Sequence, residues 1–476
     1  MSRTLRPLAP LALVLLAVLA GPAAQAQASF PSTPPEPGEP QPFELPEGQT
    51  FALDNGVDVT LLPYGSVPKA SVYAVVRAGN VDEGPGQNST ADLVAALLTE
   101  GTAERSAEDV AAAAARMGGS LSASAGLDQT TVGGRVLSEF TPDLVRLVAE
   151  VLREPAFPAE AFERVQRNEL RGAAVARSQP GSVGLAAFRR VLYGEHPYAS
   201  VVLPVAADIE AATPESVRAF YEANVGPART HLYVFGRFDE GEVEDAVREA
   251  FGAWSAPAAD AAPAPPEART GRRVVLVDQP GAAQSQVFVG IPTIDPSVDP
   301  EQYVRLEVTN ALLGGSFGSR ITRNIREDKG YTYSPSSSVS TRYRDAYWAQ
   351  RAAVVTESTG PAIREILYEV DSLAANPPSA EELEGIQNYL AGTFVLQNSS
   401  PGGLTQSLAF LDLHGLGRDY LERYVERVYA VTPEDVQRTA RELLRGDDLT
   451  IVVVGDRGTV EEQLAAFGDV EIETID

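Results

Sequence analysis

The chain has 476 residues, 44% of them hydrophobic and 22% charged, which is the balance of a folded protein and a length that needs more than one core. Its 38 Lys and Arg against 65 Asp and Glu leave a net charge of −27, which argues against a nucleic-acid partner, whose backbone requires a basic face, and disfavours an anionic membrane surface. It has no cysteine, so thiol catalysis, disulfides and a lipid-modified cysteine are excluded as well.

Residues 1–28, MSRTLRPLAPLALVLLAVLAGPAAQAQA, place Arg3 and Arg6 before the apolar run Leu8–Leu19 and finish in small residues. This predicts a signal peptide cleaved near Ala26 or Ala28, because the run is too short to span a bilayer. A periplasmic or secreted protein is therefore expected, with no later transmembrane segment. Residues 29–46, SFPSTPPEPGEPQPFELP, are too rich in proline to pack a core and read as a spacer.

A first domain is expected over 47–254. Val57–Leu62 and Ser71–Arg77 read as a hairpin. The stretch GQNSTADLVAALLTEGT at 86–102 then predicts a helix, with Ser89 or Thr90 as cap and Gly101 as stop. Seven of the eight residues from Ala91 to Leu98 are apolar, and Asp92 is the only one able to do chemistry. Ser106-Ala-Glu-Asp opens the next helix, Gly118-Gly119 stops it, Ser120–Val136 reads as paired strands, and Thr141-Pro142-Asp143 opens another helix.

The stretch SAPAADAAPAPPEARTG at 255–271 reads as a linker to a second domain over 272–476. The two domains repeat each other. ATPESVRAFYEANVGPARTHLYVFGRFD in the first matches VTPEDVQRTARELLRGDDLTIVVVGDRG in the second, and Gly236 follows Thr213 by 23 positions just as Gly455 follows Thr432. Each segment starts with a Thr cap and Pro at the first helical position, then runs into an apolar strand ending at glycine. SVYAVVRAGNVDE at 71–83 likewise matches QVFVGIPTIDPS at 286–297. The fold class expected is α+β: two homologous α/β domains of about 215 residues each, with mostly antiparallel sheets flanked by helices.

The three histidines, His196, His231 and His414, are too far apart for a local metal motif. His231 at the start of a strand reads as a packed or capping residue, and His196 before Pro197 as a structural loop residue. The glycine-rich ALLGGSFGSRITRN at 311–324 lacks the spacing of a phosphate loop. It reads instead as a helix ended at Gly314-Gly315, then a new helix from Ser316 or Ser319 that carries Arg320, Arg323 and Arg326. Gly330 turns the chain into YTYSPSSSVS, expected to be a strand.

LGGSFGSRITRNIREDKGYTYS resembles the signature of the second domain in the pitrilysin/insulinase (inverzincin) family of zinc peptidases. FALDNGVDVTLLP, VVRAGNVDEGPGQ, the helix ending in EGT and YGEHPYASVVLP fit its first domain, so the resemblance runs from about residue 48 to the end. That family carries H-x-x-E-H on the first long helix, shortly before a G-T pair. The matching positions here are Asp92, Ala95 and Ala96, so the resemblance implies a degenerate motif and no zinc or other cofactor in this chain. The family's third ligand would fall within EAFERVQRNELRG, near Glu163 and Glu169.

The family also uses an Arg and a Tyr seven residues apart to hold substrate backbone near the scissile bond, and Arg326 and Tyr333 match. The alternative is that Arg326 pairs with Glu327 or Asp328 and that Tyr333 packs. The resemblance is to the non-zinc-binding subunit of a two-subunit bacterial member. It implies a clamshell heterodimer with a homologous zinc-bearing partner, a peptide substrate, and peptidase activity only in the pair. Two other readings stand beside it: an inactive scaffold or peptide-binding protein of the same fold, and an independent peptidase with an unrecognised zinc site. A homodimer does not supply the missing histidines.

Overall fold

A computed structural model describes residues 43–199, 203–256, 264–267 and 271–474. The expected signal peptide, most of the spacer and most of the linker lie outside the described residues. Among the described residues no helix is long and apolar enough to cross a membrane.

Two six-stranded mixed sheets are built to one plan. The first contains β1 (Gln49–Ala52), β2 (Asp58–Pro63), β3 (Lys69–Val76), β4 (Ser120–Ala125), β5 (Thr130–Leu137) and β6 (Thr230–Gly236), in the order β1-β2-β6-β3-β5-β4. The second contains β7 (Val274–Asp278), β8 (Gln284–Thr293), β9 (Ser336–Arg342), β10 (Asp345–Val355), β11 (Thr450–Gly455) and β12 (Val470–Thr474), in the order β12-β7-β11-β8-β10-β9. The orders coincide strand for strand apart from the edge. The first sheet takes its edge from an N-terminal hairpin, with β1 antiparallel to β2, and the second from the C-terminal strand, with β12 parallel to β7.

The expected hairpin of Val57–Leu62 with Ser71–Arg77 does not form. β6 lies between the two strands, parallel to β2 and antiparallel to β3. The intervening Tyr64–Pro68 crosses two strand spacings, roughly 10 Å, which a five-residue link spans easily. A second difference lies after Gly330. YTYSP is not strand, because β9 begins only at Ser336, and Tyr333 sits in the loop ahead of it. The matched Thr-Pro-Glu segments behave as read, with Thr213 and Thr432 accepting from the backbone N–H of Ser216 and Asp435 at 3.2 and 3.1 Å.

Alternation along the strands separates the cores. Val59, Leu61, Val72, Ala74, Leu232 and Val234 point to a cluster with Leu144, Val148, Val243 and Phe251, from the helices Thr141–Arg153 and Glu240–Phe251 of the same domain. Leu62, Val75, Tyr233 and Phe235 point the other way, into a cluster with Leu404, Leu408 and Leu411 on the helix Pro401–His414 of the second domain. The second sheet answers in kind. Its Val275, Val277, Phe288, Val452 and Val454 are covered by Val183, Ala187, Phe188 and Val191, on the helix Pro180–Tyr193 of the first domain.

Each domain thus lends one helix to the other's sheet. Contact is close at glycine: a methyl at Gly184 would meet Phe288 at 2.5 Å, and one at Gly290 would meet the Phe188 ring at 2.6 Å. Phe188 is fully buried and stacks on Phe288, with ring centroids 6.0 Å apart. Burial of such a ring contributes about 1.5–3 kcal/mol.

Candidate functional site

Two regions carry the residues singled out above. The first is the helix Thr90–Leu98, whose Leu93, Val94, Leu97 and Leu98 are buried in the first domain's core. Ser89 occupies the cap position with φ 70° and makes no side-chain capping bond, contrary to expectation. Glu83 caps instead, accepting from the N–H of Ser89 at 3.1 Å and of Ala91 at 3.0 Å. A carboxylate at this end also suits the positive pole of the helix. The Asn80 amide donates to Glu83 at 3.1 Å and to Asp92 at 2.8 Å, joining the two acids.

Burial dominates the electrostatics of this cluster. It pushes the Glu83 carboxyl up to about 7, and it raises Asp92. Glu169, on the helix Ala159–Arg177, is also raised by burial, with the Asp92 charge adding to the effect. Glu163 faces away and pairs with Arg167 at 3.7 Å. Ala95 is 2% exposed, and Ala96 packs against the same core. Where relatives of the expected kind would place two imidazoles and a general base, these positions offer a metal one carboxylate and two methyl groups. This donor set does not fit zinc. Among the described residues no three His, Cys, Asp or Glu side chains are grouped so as to hold a metal ion.

The second region is built by the glycine-rich segment. The helix Pro300–Asn310 runs into a π-turn over Ala311–Gly315, the chain turns through Ser316–Ser319, and a short helix begins at Arg320 and widens into π-turns over Arg323–Asp328. Ile321 and Ile325 are fully buried and anchor this helix. Most of its polar residues have partners. Arg320 binds Glu382 through two bonds of 2.8 and 2.7 Å, and Asn324 donates to Glu365 and Glu369.

Arg326 is different. Its guanidinium lies 4.4 Å from the centre of the Phe317 ring and 5.1 Å from that of Tyr333. Phe317 is 70% exposed and Tyr333 81% exposed. Among the described residues Arg326 has no carboxylate within ion-pair distance, so the anticipated alternative pairing with Glu327 or Asp328 is not formed, and Tyr333 is not packed away. The structure brings Arg326 and Tyr333 together and adds Phe317, which the sequence reading did not single out. Beside them a groove of about 860 Å³ runs past Phe317, Arg323, Tyr368 and Tyr389.

The histidines serve the fold. His231, on β6, stacks on Tyr233 at 4.1 Å and bonds Thr60 and Asp412, each at 2.8 Å. The Asp–His–Thr sequence of contacts has the order of a nucleophilic triad, but Thr60 is a buried strand residue that a substrate does not reach. His196 accepts from the Tyr198 N–H through Nδ1 and meets the Ala264 carbonyl through Nε2. His414 is buried, and burial pushes its pKa down to about 4.

Comparison with known proteins decides the family. A model described as Insulinase (Peptidase family M16) matches residues 60–199, and one described as Peptidase M16 inactive domain matches residues 211–390, together more than half of the chain. The chain belongs to the insulinase family. Relatives include a protein of Streptomyces coelicolor, named as an uncharacterized zinc protease. It is 26% identical over 409 residues, which are 84% of this chain and 88% of that protein. One of Mycobacterium tuberculosis with the same description is 28% identical over 422 residues, covering 87% and 95%. Among solved structures, a peptidase M16 inactive domain from Pseudomonas fluorescens superposes with a TM-score of 0.79 at 23% identity, covering 86% of this insulinase-family chain and 98% of that one. A protease from Helicobacter pylori gives 0.77 at 19%, covering 86% and 100%. At these identities the superpositions speak to the fold.

Proposed function

We propose that this insulinase-family chain is the non-metal-binding subunit of an exported metallopeptidase. It presents Arg326 and Tyr333 to an extended peptide, while a homologous partner chain brings the zinc. The observation that carries this reading is the Arg326 guanidinium, held between two exposed rings and free of any carboxylate among the described residues. A guanidinium so placed keeps its N–H donors for a ligand, and a phenol beside it adds another. Both can donate to a peptide carbonyl, and the same donors strengthen as that oxygen gains negative charge. The degenerate positions Asp92, Ala95 and Ala96 support assigning the metal to the partner. The leader at 1–28 supports export.

The test is purification of the chain alone and with a zinc-bearing homologue from the same cell. Alone, it is expected to bind no stoichiometric zinc and to cleave no peptide. The pair is expected to cleave, with turnover lost in Arg326→Ala. Stoichiometric zinc at the Thr90–Leu98 helix overturns the division of labour. Unchanged turnover in Arg326→Ala and Tyr333→Phe moves the assignment to a scaffold or peptide-binding protein.

A further inference from the structure

The second domain contains another pocket, of about 400 Å³, that shares no lining residue with the groove beside Phe317. It lies between the helices Pro300–Asn310, Ala380–Asn398 and Pro401–His414 and the segment carrying Tyr420 and Tyr424. Its rim is polar and exposed, with Thr393, Gln397 and Gln406. Its walls are aromatic: Phe394 stacks on Tyr424 at 4.4 Å, and Phe410 lies 6.1 Å from Tyr420. The size suits a small ligand, and the mix of apolar walls with a few polar groups is that of a binding site.

Glu307 gives the pocket its sign. It lines the pocket, yet its Oε2 has no solvent contact and no hydrogen-bond partner. The Tyr420 hydroxyl is buried and unpartnered in the same way. No Lys, Arg or His forms an ion pair with the carboxyl among the described residues. Arg427, which lies over the Tyr420 ring, is committed to Glu301 at 2.8 Å and Asp419 at 3.4 Å. A carboxylate placed among aromatic rings without a counter-ion costs stability, and nothing in the packing of an apolar helix face requires it. Aromatic faces and a carboxylate share one preference, which is for positive charge.

We propose that this pocket binds a small organic cation, a primary amine or guanidinium on a short carbon stem, whose head pairs with Glu307 while the stem lies against Phe394 and Phe410. The cation comes either as a free small molecule or as a Lys or Arg side chain of a peptide, and the two sources share this chemistry. Burial pushes the Glu307 carboxyl up to about 7, so it is anionic and ready to pair at pH 8. This site does not depend on the role assigned to Arg326.

The experiment is calorimetric titration of the full chain at pH 8 with agmatine, n-pentylamine, the blocked tripeptide acetyl-Gly-Arg-Gly-amide, and n-pentanol as the neutral control. Saturable binding of at least one cation is expected, at least tenfold tighter than pentanol, at least tenfold weaker in Glu307→Gln and unchanged in Arg326→Ala. Preference for agmatine or pentylamine identifies a free amine, and preference for the tripeptide a side chain. Gln406→Trp, at the exposed rim, is expected to block binding without changing the melting temperature, and it decides the matter if Glu307→Gln does not fold. Absence of saturable cation binding, equal affinity for pentanol, or undiminished affinity in folded Glu307→Gln or Gln406→Trp overturns the proposal.

Discussion

The helix Thr90–Leu98 and the helix that starts at Arg320 hold the two sets of residues singled out from the sequence, and their surroundings differ in kind. On the first, the one polar residue, Asp92, is buried and tied to Asn80, and Ala95 is sealed in the core. On the second, Arg320 and Asn324 absorb the nearby carboxylates, while Arg326 rests on two rings that accept no N–H bond in its plane. An Arg held by ring faces is fixed in position without spending its donors. The chain has therefore used the first region for stability and kept the second available.

The contrast can be broken first at Arg326. In the assembled peptidase, Arg326→Ala is expected to lower kcat/KM by about 100- to 1,000-fold, the loss of a charge-stabilising donor, with melting unchanged because the side chain supports no ion pair. A parallel drop in melting temperature would make Arg326 structural. On the first helix the expectation reverses. Ala95→Glu, which puts a carboxylate at a sealed position, should cost about 2–5 kcal/mol in denaturant unfolding. Retained stability would mean that this helix still has room for chemistry.

Glu83→Gln sharpens the electrostatic side. With an ordinary value of 4.5 in the unfolded chain and about 7 in the native one, Glu83 binds more protons when folded, so stability falls as pH rises through that window. The variant should flatten the fall by about 1–3 kcal/mol between pH 4.5 and 8 in urea melts; Glu307 titrates in the same window and leaves part of the slope. A slope equal to that of the unaltered chain removes Glu83 from the account. The smallest effect is expected from Tyr333→Phe, about a tenfold loss of turnover at unchanged stability, since one neutral donor is removed from an exposed ring.

Much of the fold was legible because its signals are local. Thr213 and Thr432 cap, Pro214 and Pro433 start helices, and apolar strands end at Gly236 and Gly455 in both domains. The false hairpin marks the limit of such reading. β2 and β3 are antiparallel and close in sequence, but their neighbour β6 arrives from far along the chain, and adjacent segments carry no trace of it. Arg326 and Tyr333 were found through the resemblance and not through their chemistry. Phe317 was missed because GGSFGS reads as a turn, and exposure is decided by packing elsewhere. Glu83 was missed for the same reason: an acid after AGNVD looks like loop surface until the tertiary fold covers it.

The exchanged helices Pro180–Tyr193 and Pro401–His414 make the two halves depend on each other. Either half by itself would leave a sheet face of Val, Phe and Leu open to water, so a lone half is not a self-sufficient protein. Such a half would need a helix from outside itself to cover that face, as each half here takes one from the other. Within one chain the trade is internal, so neither half can change its exchanged helix without answering to the other half's sheet.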